Sequence, residues 1–372
     1  TDNATLSKED QVNDTVTAGY VGARISEDKG ALRYDATTSF NNHHYTQDTF
    51  PDQHYFNLGV SSDWEMIKNR FNWKLSDYFS QQPIISNNSN TPDNIENNNL
   101  FVFGANIKLP LSARQNFSLV PMFTQYDYEV QNTDNKQYSL AANWNYQMFR
   151  LTNVGLNLST RKINYTEINS IGQSIEDTTF TNIAMLVNGQ RLRSTFSVNL
   201  GATNVKRENG QETTGFAGYL SWLANLSSRS SFETLVSTDL TDTSTVAASV
   251  AGDDVQITAD VIRNSIINLA YLREDASLST RIFARYNKLK YSDSPLDSIL
   301  RDFSFQFSHP VTQLLSSGAY VGYNSDKRLD TNRLDERFTV GGNLRYNFSR
   351  KTHGLFDLKY RKKESTYFPE NY

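Results

Sequence analysis

Apolar and polar residues alternate with a period of two along most of this chain. In the stretch 338–348, Phe338, Val340, Leu344, Tyr346 and Phe348 fall on one side. Arg337, Thr339, Asn343, Arg345 and Asn347 fall on the other. Successive side chains of a strand point to opposite faces, so this spacing predicts a strand with one apolar and one polar face. The same rows recur at Phe71/Trp73/Leu75, Phe101/Phe103/Ala105/Ile107/Leu109, Tyr138/Leu140/Ala142/Trp144/Tyr146, Phe196/Val198/Leu200 and Phe303/Phe305/Phe307. Strands are predicted near 12–25, 31–43, 53–65, 69–81, 99–110, 115–130, 136–148, 152–166 and 178–188. A second set follows at 192–207, 213–226, 230–240, 255–272, 277–291, 298–308, 313–324, 335–348 and 353–364. The alternation is weakest at 12–25, 178–188 and 255–272.

The connections alternate as well. Tight turns are expected at 65–68, 110–115, 149–151, 188–191, 227–229, 273–275, 309–311 and 349–351, and long polar loops at 81–98, 167–177, 241–254, 292–297 and 325–334. About eighteen strands of about ten residues, joined by unequal loops, predict an all-β fold, a transmembrane antiparallel up-and-down β-barrel spanning 1–372 as a single domain. Short turns belong on the periplasmic side of such a barrel and long loops on the cell surface. Every tight turn joins an odd strand to an even one, so odd strands run inward. Both ends of the chain would then lie outside the cell, and 366–372 reads as loop rather than an aromatic-terminated strand. The expectation is a trimmed chain that lacks a closing strand and an opening one, the intact barrel having about twenty strands.

Composition supports a barrel over a soluble fold. Only 38% of the 372 residues are hydrophobic, yet 12% are aromatic, with 20 Tyr and 22 Phe. A wall with one watery face accounts for the polarity, and Tyr and Trp suit the membrane interfaces. No apolar run approaches the roughly 18 residues of a helical span. The absence of cysteine removes disulfides and thiolate chemistry, and a net charge of -4 gives no case for nucleic-acid binding. The expected location is the outer membrane of a Gram-negative bacterium, in contact with lipid and lipopolysaccharide.

Catalytic chemistry finds little purchase, and no enzymatic activity or cofactor is expected. His43, His44 and His54 could converge on a metal ion, but a polar surface loop is the preferred reading, and no metal site is assigned. No Gly-x-Ser-x-Gly elbow is present, and Gly252-Asp-Asp254 reads as a solvated turn rather than a calcium loop. The polar rows carry more information. They hold ten bases (Arg33, Lys74, Lys108, Arg161, Arg281, Arg285, Arg337, Arg345, Lys359, Arg361) against five acids (Asp35, Asp63, Glu233, Asp302, Asp357). Bases lining a pore favour anions, while bases paired with acids would only brace the wall. Arg281, Arg285, Arg337 and Arg345 are the candidate anion contacts. Among inward aromatics (Tyr55, Tyr78, Tyr126, Tyr128, Tyr219, Tyr320), Tyr126, Tyr219 and Tyr320 are the candidate sugar-stacking surfaces.

The segment Trp64–Gln81, a tight turn followed by Arg-Phe-x-Trp and Asp-x-Phe-x-Gln, resembles a stretch of outer-membrane β-barrel porins associated with exopolysaccharide export, the second β-barrel porin family and its exosortase-associated relatives. Ser231–Thr243, ending in Leu-Thr-Asp, resembles their recurring strand. The resemblance implies a non-enzymatic conduit or wall component for an exported polysaccharide, working with periplasmic export components. A diffusion porin for small, preferentially anionic solutes and a structural or adhesin barrel binding through its loops are the alternatives.

Overall fold

The computed structural model describes residues 12, 14–85, 91–166, 175–249, 257–349 and 352–366, and the side chains of all but 248 and 249 of these. Eighteen antiparallel strands form one up-and-down sheet. The first half of the chain supplies β1 (Val16–Glu27), β2 (Leu32–Tyr45), β3 (Gln53–Ile67), β4 (Phe71–Pro83), β5 (Ile95–Ser112), β6 (Gln115–Tyr128), β7 (Asn135–Phe149), β8 (Thr152–Tyr165) and β9 (Thr178–Gln190). Next come β10 (Ser194–Arg207), β11 (Glu212–Asn225), β12 (Ser230–Asp242) and a short helix, α1 (Thr243–Ser249). The chain continues through β13 (Val261–Asp275), β14 (Leu278–Tyr291), β15 (Ser298–Pro310), β16 (Leu315–Arg328), β17 (Leu334–Asn347) and β18 (His353–Ser365). All eighteen expected strands are present, and the weakly alternating 255–272 shifts most, to Val261–Asp275.

The chain divides into two compact units. The first joins Thr1–Val187 with Leu200–Ala217 and Leu240–Val261, and the second joins Asn188–Asn199 with Gly218–Asp239 and Ile262–Tyr372. In the first, β1 to β8 pair in sequence order as successive hairpins. In the second, β13 to β18 do the same, and Gly218–Asn225 pairs with Ser231–Thr238. Connections from odd to even strands are short throughout, as at 68–70, 113–114, 150–151 and 276–277. Those from even to odd include the longest, as at 84–94, 166–177 and 243–260, while 208–211 and 329–333 are compact.

Local chemistry explains the turns. Asn69 heads the β3–β4 turn at φ 57°, in the left-handed region that asparagine tolerates. Its N–H donates to Glu65 Oε1 at 2.7 Å, and the Arg70 N–H donates to the Ile67 carbonyl at 2.9 Å. Gly210, at φ 88°, serves the 208–211 turn in the same way, its N–H donating to the Arg207 carbonyl at 3.0 Å.

Burial follows the two faces. On the apolar face of the first unit Leu140, Leu156 and Leu158 are 46–53% exposed, while Asn135 and Gln137 on the opposite face are buried. In the second unit Leu344, Phe356 and Leu358 lie exposed, and Asn287 is buried on the polar face. Aromatic rings reinforce the apolar side, with Trp73 stacked on Phe103 at 5.1 Å between centroids and Phe71 set edge-on to Trp73. Burying polar groups while displaying leucine and aromatic rows is unfavourable in water and favourable in hydrocarbon.

Candidate functional site

Antiparallel register aligns polar residues of consecutive strands into rows. One row of the second unit runs Leu272, Arg281, Gln306, Tyr320, Gly341, Lys359 across β13 to β18. The next runs Glu274, Ser279, Ser308, Gly318, Asn343, Asp357. A third carries Asn268, Arg285, Asp302, Asn324, Arg337, Lys363. The alternation that sends Phe303, Phe338 and Tyr360 to the apolar face thus gathers Arg281, Arg285, Arg337 and Arg345 on the other, as the sequence predicts.

These four arginines differ in what holds them. Arg285 ion-pairs with Asp302, whose carboxylate also accepts from the Asn324 amide. It braces the wall rather than offering a free charge. Arg337, in the same row, is half-buried, and its Nε has no hydrogen-bond partner. Arg345 is exposed and donates to Asn347 Oδ1 at 3.3 Å. Among the described residues, Arg281, Arg337, Arg345, Lys359 and Arg361 make no ion pair, so this face keeps a surplus of positive charge. The first unit leans the other way: Arg24 pairs with Asp35, and Arg33 with Asp63 at 2.6 Å, with Lys74 next to Asp63 in register.

Two of the predicted residues meet at a hollow. A cavity of about 390 Å³ is lined by Ser279, Arg281, Gln306, Ser308, Tyr320 and Asn343, among others. Small side chains make it. At Gly318 a Cβ would fall 2.8 Å from Asn343 Oδ1, and the Tyr320 ring occupies the space a Cβ would need at Gly341. Tyr320 thus lies over Gly341, its register partner on β17. The remaining predicted aromatic of this unit, Tyr219, is half-buried and hydrogen-bonds Ser197 Oγ at 3.2 Å.

Tyr126 requires a correction. Its side chain is 8% exposed, stacked on Tyr128 with centroids 6.4 Å apart, and covered by Ile257 with Ala247 of α1. The ring is packed rather than open, because α1 and Ile257 lie against it. Arg161 is the anchor. It pairs with Asp242 at 2.9 Å and donates to Thr245 Oγ1 at 2.6 Å and Thr241 Oγ1 at 3.1 Å. Its guanidinium also sits 4.7 Å from the Phe180 ring centroid. Asp242 in turn caps α1, accepting from the Thr245 N–H at 3.0 Å. Beside this hub Ile163, Phe180, Val205, Leu240 and Val261 form an apolar core. Sequence spacing put Arg161 on the polar face and read 241–254 as a long polar loop, but no local signal tied the two together.

The histidines do not converge. His43 and His44 alternate at the end of β2 and so take opposite faces. His44 bonds Asp52 at 2.8 Å, His43 packs edge-on to Tyr55, and His54 stacks on Phe40. Gly252-Asp-Asp254 lies outside the described residues.

Strand order, register and the two-faced burial define the class: a transmembrane antiparallel β-barrel of the outer-membrane type. The fold is similar to that of the siderophore receptor PirA from Pseudomonas aeruginosa (TM-score 0.53, 11% identity, over 96% of this chain and 69% of that one). It is also similar to the FrpB iron transporter from Neisseria meningitidis (0.54, 8%, 94% and 74%). A ferric enterobactin receptor from Pseudomonas aeruginosa aligns likewise (0.56, 8%, 94% and 66%). At such identities the likeness is one of fold, and with the lipid-type exterior it locates the chain in a Gram-negative outer membrane. No family model matches the chain, and no curated protein matches it.

Proposed function

We propose that this chain is a single outer-membrane transport barrel, non-enzymatic, whose lumen passes anionic solutes. The observation that carries this reading is the set of bases that make no ion pair among the described residues on the polar face of β14, β17 and β18: Arg281, Arg337, Arg345, Lys359 and Arg361. Fixed cations lining a pore concentrate anions and repel cations, and their effect is strongest where counter-charges are missing. The solute class we favour is an acidic polysaccharide in export, in line with the resemblance of Trp64–Gln81 to exopolysaccharide-associated porins. Passage would need no bound cofactor, because repeated weak contacts with arginine and tyrosine let a polymer slide. Periplasmic export components would meet the short connections between odd and even strands.

A second reading, capture of an anionic metal chelate, is favoured by the fold likeness to a siderophore receptor and an iron transporter. Planar-bilayer conductance tests what both share. The protein should select anions, and replacing Arg281, Arg285, Arg337 and Arg345 together by Gln should bring the permeability ratio toward unity. Unchanged selectivity in that variant, with polymer export also intact, would refute the proposal. Loss of surface polysaccharide in a deletion strain separates the favoured reading from chelate uptake.

A further inference from the structure

The hollow on the polar face of β14 to β17 combines features that a bare charged wall lacks. It is concave, at about 390 Å³, and falls in the range of small-molecule sites, ~300–1,000 Å³. One end presents Arg281, exposed and without an ion pair among the described residues. Guanidinium offers a planar fork of donors that matches a carboxylate. The middle presents the amides of Gln306 and Asn343 and the hydroxyls of Ser279 and Ser308, each able to donate and to accept. The far wall is Tyr320, two strands from Arg281 and so about 10 Å along the ladder. Its ring packs over Gly341, where a Cβ would collide with it. An aromatic face, mixed donors and acceptors, and one cationic fork suit a ring bearing hydroxyls and a carboxylate. A compact inorganic anion would use the arginine alone.

We infer that this hollow is a binding subsite for a carboxylated sugar unit, a uronic acid of an acidic polysaccharide, with Arg281 on the carboxylate and Tyr320 against the ring. The inference rests on the anionic-transport reading and names the chemistry of one station within it. Asp357 does not line the hollow, and Lys359 stands two residues from it on the same face of β18.

Calorimetric titration of the full chain, refolded in detergent, tests it with digalacturonate, lactose and inorganic phosphate as probes. Digalacturonate should bind saturably, and lactose and phosphate at least tenfold more weakly. Arg281→Gln and Gly341→Val, which displaces the Tyr320 ring, should each weaken digalacturonate at least tenfold. Arg281→Lys should keep part of the affinity, and Arg24→Gln, on β1, all of it. Each variant is first checked for β-sheet circular dichroism and heat-modifiable migration. Flat titrations, phosphate or lactose binding as tightly as digalacturonate, or a folded Arg281→Gln with unchanged affinity would overturn the subsite. Anion selectivity in bilayers with a flat titration removes the subsite and leaves the transport reading. Arg281-dependent digalacturonate binding without anion selectivity does the reverse.

Discussion

At the scale of single residues, what matters is whether a charge is paired. Arg285 and Arg281 are four positions apart on one strand and share a face, yet only Arg285 has a carboxylate opposite it. Arg161 shows the paired extreme. Asp242 has a side chain only 2% exposed and accepts from Arg161, while it caps α1. Removing one member of a buried pair strands the other charge, which costs more than the pair contributes. Asp242→Ala should lower unfolding stability by about 3 kcal/mol in lipid or detergent, with an Arg161→Met/Asp242→Ala double variant recovering part of the loss. Additive losses in a urea titration would show that the pair is not coupled. Alternation sufficed to place Arg161 and Tyr126 on the polar face. It could not reveal that Tyr126 is covered, because the partner that covers it, Ile257, is 131 positions further along the chain. A period of two reports which face a side chain takes, and nothing about a distant segment that folds onto it.

At the scale of elements, strand legibility tracked the strength of the pattern. Segments with unbroken aromatic rows, such as β7 and β17, begin and end within a residue or so of their expected limits. β13 does not, because 257–260 precede the strand and the apolar residue Ile257 packs on Tyr126 and Tyr128 instead of pairing. α1 was invisible to a strand-period reading; its signal is an aspartate followed by Thr-Ser-Thr, a weak capping pattern that only the half-buried Arg161 makes decisive. Turn chemistry is more local. Asn69 takes φ 57° in the β3–β4 turn. A β-branched residue there would pay about 1–2 kcal/mol and glycine nothing. Asn69→Val should therefore lower the unfolding midpoint and Asn69→Gly should hold or raise it. Equal midpoints for the two would mean that the turn relaxes out of this conformation.

For the whole molecule, the two faces have opposite solvents, and substitutions should report that difference. Leu140, near the middle of β7, faces the apolar side at 46% exposure, while its neighbour Ser139 faces the polar side. Leu140→Arg should cost about 2–4 kcal/mol in a lipid bilayer, and Ser139→Arg much less. Measured by reversible unfolding in lipid vesicles, a larger cost at Ser139 would invert the faces and with them every assignment made for Arg281 and Tyr320.

The register rows bear on how such a chain can change in length. Deleting one residue within β16 would turn Tyr320 toward lipid and bring Ala319 inside, and every later residue of that strand would change sides with it. Two residues preserve the sides but slide Tyr320 off Gly341. Changes of length are therefore best tolerated in the connections, such as 292–297 and 329–333. An epitope placed at 329–333 should leave the polar rows in register and the tyrosine and arginine stations in place, whereas one placed within β16 should not.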